Sequence, residues 1–310
     1  MVKPSATLAA PAYLVNRLVV ATYILLVFGA SVRVNGAGLA CPDWPLCFGQ
    51  VVPTMDYGVF FEFGHRVYAG LVSLAFLALG ALLWRERGSA GRGLLVGWAI
   101  GAVLLLTQVI LGGLTVLELL AEWTVASHLL TGNLFCATLL LLALGIHERR
   151  SPVERSPVTM GLRGFAGFMA LAIPAQMVLG GYVSASYAGL ACGTWPTCDG
   201  VNWFPTFAGA VGLQLMHRSV AYLLLAAAIG GVVYTRGRGR TGRATLVLLG
   251  LVFVQAGIGV ANVLLHLKWE VTLAHTAGAA ALMLTTAWLN WEAWRAPAAQ
   301  PARSLVGAEA

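Results

Sequence analysis

The chain has 310 residues, 59% of them apolar and only 10% charged, with a formal net charge of +7. Soluble domains carry about 25% charged residues, so this composition excludes a soluble globular protein. The positive charge matters through its distribution along the chain, and nucleic acid is not an expected partner.

Residues 1–12 hold no apolar stretch followed by a small-residue cleavage site, so the first apolar run is expected to act as its own targeting signal. An Arg- and Ser-rich transit peptide is also missing, which points to a bacterial plasma membrane rather than an organelle. Eight apolar runs follow, at 13–35, 60–84, 94–117, 122–146, 161–183, 208–235, 243–265 and 270–293. Each is near the ~20 residues that cross the hydrocarbon of a bilayer. The prediction is an all-α integral membrane protein with eight transmembrane helices. Residues 148–160, with Pro152 and Pro157, form the boundary between an N-terminal unit (1–147) and a C-terminal unit (161–294). The tail, 295–310, carries Pro297, Pro301 and several alanines and is expected to be disordered.

Of the 19 Lys and Arg, only Arg33, Arg66, Arg218 and Lys268 fall on the side of the two longest loops, 36–59 and 184–207. By the positive-inside rule both termini are then cytoplasmic and both long loops face outward.

The two units repeat one another. Gly38-Leu39-Ala40-Cys41 returns as Gly189-Leu190-Ala191-Cys192, and Trp44-Pro45 and Cys47 return as Trp195-Pro196 and Cys198. His65-Arg66 returns as His217-Arg218, and Gln108 and His128 return as Gln255 and His275. With four spans in each copy, both copies have the same orientation. The expected architecture is two parallel-repeat four-helix bundles related by a pseudo-twofold axis along the membrane normal.

Ionisable side chains inside spans are costly and mark functional sites. His65, His128, His217 and His275 lie on the second, fourth, sixth and eighth runs, each roughly 8–15 Å below the outer boundary at 1.5 Å per residue. Two neutral imidazoles facing one another from parallel helices can form a bis-axial haem site. The alternative for any single histidine is a hydrogen bond to a neighbouring helix. His147 and His266 have no repeat counterpart and read as interfacial residues. Glu62 lies one turn from His65 on the same helical face, where burial would suit it to proton transfer; pairing with Arg66 is the simpler alternative. The equivalent position in the second unit is Gln214, which cannot titrate. Arg66 and Arg218 can either meet haem propionates or snorkel to the headgroups. Gln108 and Gln255 are expected as interhelical hydrogen-bond partners, and Gly112-Gly113 and Gly180-Gly181 as close helix contacts.

Cys41 with Cys47, and Cys192 with Cys198, sit in the two outer loops with five residues between. Oxidation is favoured there, and the Trp-Pro step within each loop can turn the chain. Each pair reads as a local staple or as a redox-active pair, and metal binding is the weaker reading because no histidine is near. Cys136, in mid-span, reads as a small core residue.

Together, the eight spans in two repeats, Glu62 three residues before His65, and His128, His217 and His275 resemble the haem A synthase family. The paired cysteines are similar to its cysteine-containing bacterial branch. The resemblance covers about residues 13–294. It implies an oxidoreductase that converts the C8 methyl of haem O to a formyl group by successive hydroxylation. It further implies that His65 and His128 ligate the substrate haem, with Glu62 as the essential carboxylate. His217 and His275 would ligate a resident haem b, and Cys41 and Cys47 would matter more for turnover than the second pair. Expected partners are the bilayer, haem O and haem A, and an electron donor or acceptor not identifiable from sequence. Haem O synthase, cytochrome oxidase assembly factors and a second copy of the chain are further partners compatible with this reading. Two other readings stay open: a dihaem cytochrome b-type electron carrier, which would place its haems toward opposite faces, and a transporter, which would break its helices at the midplane.

Overall fold

The computed structural model describes residues 7–237 and 239–298. Among these, the chain forms eight α-helices: α1 (Ala9–Val34), α2 (Tyr57–Arg85), α3 (Arg87–Leu117), α4 (Glu122–Arg150), α5 (Met160–Ala185), α6 (Gly209–Thr235), α7 (Gly239–Leu264) and α8 (Trp269–Arg295). Outside the helices, the described backbone adds one 3-10 turn, Ala188–Leu190, and two isolated β-bridges. Every predicted run is a helix, most of them a few residues longer than the run, and two start on side-chain caps. The carboxylate of Asp56 accepts from Val59 N at 2.8 Å to start α2, and Thr159 Oγ1 accepts from Leu162 N at 3.3 Å to start α5. Such side-chain acceptors satisfy amides that have no partner within the helix.

Seven of the eight helices are long and apolar enough to cross a membrane by length and composition. α8 falls short of that measure. It is rich in Ala and Thr and carries two acidic residues, Glu270, exposed at its start, and Glu292, buried near its end, and it packs against α1, α4, α5 and α7. α3 begins earlier than its apolar run because Arg87–Ala90 form a separate turn. Gly91, at φ 65° and ψ 166°, breaks the helix there, and the Arg149 guanidinium occupies the space a side chain would need. The tail expectation starts too early: Arg295 closes α8, and Val158 N donates to Pro297 O at 2.9 Å. Residues 299–310 lie outside the described residues.

α1 packs on α2 and α4, and α3 on α2 and α4; α5 packs on α6 and α8, and α7 on α6 and α8. The two groups meet through α1 with α8, α4 with α5, and α4 with α8. This set of helix contacts is unchanged when each helix is exchanged with its counterpart four places along.

Each group concentrates its apolar core at one end. In the first, Leu8, Val15 and Leu18 of the α1 start meet Phe76, Leu79 and Leu83 of the α2 end, and Leu139 and Ile146 of the α4 end. In the second, Met169, Ala228, Leu248 and Leu289 do the same. The opposite ends, beneath the two cysteine loops, hold the histidines.

Candidate functional site

The four repeat-related histidines all lie within about three turns of the start of an even-numbered helix: His65 in α2, His128 in α4, His217 in α6 and His275 in α8. Each is half-buried, and the Nδ1 of each is buried without a hydrogen-bond partner. An unsatisfied buried polar atom is costly, and here it recurs at four equivalent places. The rings of His217 and His275 have centroids 6.4 Å apart at an interplanar angle of 68°. That spacing leaves room for two imidazole–metal bonds of about 2 Å each. His65 and His128 lie within electrostatic reach of one another. The donor set, neutral imidazoles in an apolar bundle, fits a haem iron in each half. Backbone carbonyls on the second pair are braced from neighbouring helices: Gln176 donates to His217 O and Gln255 to His275 O, both at 2.8 Å. The Gln255 bond is the interhelical link expected from sequence. Gln108, its counterpart, lies with its amide nitrogen against Gly132.

Above the first pair, the loop of residues 35–56 is folded onto α2. Cys41 and Cys47 form a disulfide and are fully buried. Glu62, 5% exposed, accepts from Cys41 N through Oε2 at 2.8 Å, and its Oε1 accepts from Arg66 Nη2 at 2.6 Å. Nη1 of Arg66 donates to Asp43 O at 2.9 Å and Leu46 O at 2.6 Å. The carboxylate of Asp43 in turn accepts from Phe48 N and Gly49 N. Glu62 therefore touches the disulfide's own backbone, a contact that helix periodicity alone does not predict. The pairing with Arg66 weighed from sequence is present as well.

The second loop is built from the same parts with one exchange. Cys192 and Cys198 form a disulfide, and Arg218 donates to the carbonyls of Cys192, Thr194 and Thr197 at 2.7, 2.9 and 3.3 Å. Gln214 donates to Gly189 O at 2.9 Å, where Glu62 accepts from Cys41 N. Trp44-Pro45 and Trp195-Pro196 are both cis. In this second loop Asp199 is held well below the usual carboxylate range, at about 2, first by the Asn202 side chain and then by the amides of Asn202 and Val201.

His147 meets Asn16 Oδ1 at 3.1 Å at the far end of α4, and His266 lies exposed in the α7–α8 turn. Cys136 is buried and unbonded to another cysteine. Of the glycine pairs, Gly112 faces His128 and Gly180 faces His217; Gly181 meets Ala126 of α4, and Gly113 meets a loop residue, Trp44, rather than a helix. Glu292, at the opposite end, was not singled out by sequence. It is fully buried, its carboxylate accepting from Arg155 Nε at 2.9 Å and from Arg240 Nη2 at 2.8 Å. A cavity of about 280 Å³ opens there, and its two guanidiniums are already bonded to Glu292.

Fold and site define a multi-pass helical membrane protein with paired histidines under disulfide-closed loops. The chain belongs to the cytochrome oxidase assembly protein family COX15-CtaA, which it matches over residues 12–287. It is 30% identical to the heme A synthase of Shewanella oneidensis over 327 residues, covering 91% of this chain and 96% of that one. Similarity to the heme A synthase of Shouchella clausii is 32% over 253 residues, covering 78% and 83%. For that of Methylorubrum extorquens it is 30% over 329 residues, covering 88% and 83%.

Proposed function

We propose that this protein is a haem A synthase, a membrane oxidoreductase that converts the C8 methyl of haem O to a formyl group by successive hydroxylation and loss of water. The observation that carries this reading is an asymmetry within a repeat: both halves pair two histidines, and only one half places a carboxylate, Glu62, beside them. Family membership and three relatives named heme A synthase support it.

His217 and His275 would hold a resident haem b, and His65 and His128 the haem O substrate. A bound haem supplies redox chemistry that side chains lack. The protein's part is positional and protonic. Helices α2 and α4 orient the imidazoles, and the loop over Glu62 excludes water from the outer end. Glu62 holds or releases a proton at Oε1 or Oε2, the two oxygens that meet Arg66 and Cys41 N. Gln214 offers only an amide at the same place, which suits a half that retains its cofactor. Cys41 and Cys47 are assigned to turnover through the bond from Cys41 N to Glu62. Arg66 and Arg218, each next to a histidine, are the cations assigned to acidic porphyrin substituents, shared with the loop carbonyls they already bind. Electrons come from a donor, or pass to an acceptor, outside the chain. Both termini lie in the cytoplasm of a bacterial cell and both cysteine loops outside it, by the distribution of Lys and Arg. Haem O synthase and cytochrome oxidase assembly factors are the partner classes this reaction implies.

The test is pyridine-haemochrome and chromatographic analysis of haems from cells expressing the wild type and Glu62→Gln. Loss of haem A with haem b retained is expected. Unchanged haem A would remove Glu62 from the reaction.

A further inference from the structure

All four histidines rest against a glycine of the preceding helix. A methyl group built on Gly29 of α1 would lie 3.0 Å from His65 Cε1, and one on Gly180 of α5 would lie 2.9 Å from His217 Cε1. On Gly112 of α3 and Gly259 of α7 it would lie 3.3 Å from the Cε1 of His128 and of His275. In every case the nearest atom is the same ring carbon, the one between the two nitrogens. The tight contacts belong to the first histidine of each half and the looser ones to the second. A van der Waals contact between carbons is about 3.5–4.0 Å, so any side chain at these four positions presses on the ring.

Protein hydrogen bonds do not hold these rings at Nδ1, because each Nδ1 is buried without a partner. Metal-bound histidines ordinarily have their orientation set by a hydrogen bond at the second nitrogen. Here the glycine backbone takes that place by contact. We propose that Gly29, Gly112, Gly180 and Gly259 are positioning residues: bare helix surface against which each imidazole is seated, setting its plane and tilt toward the iron. This rests on the haem-ligating role proposed above. The seat needs both the absence of a Cβ and the close helix approach that glycine permits. Since Cε1 is the contact atom, pushing it displaces both ring nitrogens together.

The experiment uses full-length purified protein carrying its bound haem, and compares wild type, Gly180→Ala, Gly259→Ala, Gly257→Ala and His217→Ala. Gly257 is exposed, two residues from Gly259 on α7, and has nothing within 4 Å, so it controls for glycine loss within a span. The readouts are haem-to-protein ratio and the low-spin electron paramagnetic resonance signal, which reports the relative orientation of axial imidazoles. Gly180→Ala is expected to shift that signal or to weaken haem retention about tenfold. Gly259→Ala should move in the same direction by less, and Gly257→Ala should match wild type. Where Gly180→Ala yields too little protein, the contrast between Gly259→Ala and Gly257→Ala decides. Signals and haem ratios equal to wild type, or equal changes in the contact and control variants, overturn the proposal. If His217→Ala keeps its haem with an unaltered spectrum, the ligand assignment itself has failed instead.

Discussion

At the residue scale, the chemistry turns on which atoms are left to be satisfied. Glu62 has one oxygen on a guanidinium and the other on a backbone amide, so both are occupied inside a buried setting. Glu62→Gln keeps the shape and loses the charge. Beyond its expected effect on haem A, it leaves one acceptor where Arg66 and Cys41 N now have two, so the loop's resistance to proteolysis should fall. Gel analysis of limited digestion would show this, and identical digestion of variant and wild type would contradict it. His217→Ala, in contrast, should deplete haem b more than haem O or haem A. A full complement of haem b in that variant would count against the division of labour between the halves.

At the scale of elements, short staples and bare helix faces set the spacing. Each loop disulfide closes only five intervening residues, and such a link contributes about 2 kcal/mol through the unfolded state. The double variants Cys41→Ser/Cys47→Ser and Cys192→Ser/Cys198→Ser should therefore lower the melting temperature comparably. Only the first should also lower the haem A yield, because only Cys41 N is bonded to a titratable group. Equal yields from the two double variants would show that the Glu62 contact is incidental. Between α2 and α3 the spacing depends on Gly80: a methyl there would lie 2.3 Å from the Trp98 ring, which stacks on Phe76 at 5.6 Å. Gly80→Ala should destabilise the protein by about 1–3 kcal/mol as overpacking, read as a lower melting temperature in detergent.

At the scale of the whole molecule, the two halves are pinned at both ends. On the loop side, Arg33 Nε of α1 donates to Ser184 Oγ of α5 at 2.7 Å, and its Nη2 donates to Ser184 O. On the other side, Arg155 of the linker joins Glu148 at the α4 end to Glu292 at the α8 end, and Arg240 of α7 closes the cluster. Removing one member of a buried ion pair costs about 3–5 kcal/mol because its partner is left charged and dry. Glu292→Ala should lose part of that, since Arg155 is 6% exposed but keeps Glu148, and Glu292→Gln should lose less. Thermal unfolding in detergent separates the two, and an unshifted melting temperature for Glu292→Ala would show the cluster to be dispensable.

Hydropathy, the repeated histidines and cysteines, and the contrast of Glu62 with Gln214 are local properties of the chain, and they were legible without coordinates. Apolar runs become helices in lipid because every backbone group must be satisfied within the segment, so eight runs foretold eight helices whatever their packing. α8 blurred that rule because its small residues and Glu292 are covered by other helices. The tertiary structure alone decided which groups touch across long separations. It put Glu62 on Cys41 N, Glu292 between Arg155 and Arg240, and a glycine behind each histidine. Gly112 and Gly259 stand at the same offset as His128 and His275, a signal present in the repeat but without meaning until the helices are side by side. Contact between helices depends on their rotation and approach, which arise from the packing of all eight together, and one-dimensional spacing carries no record of it.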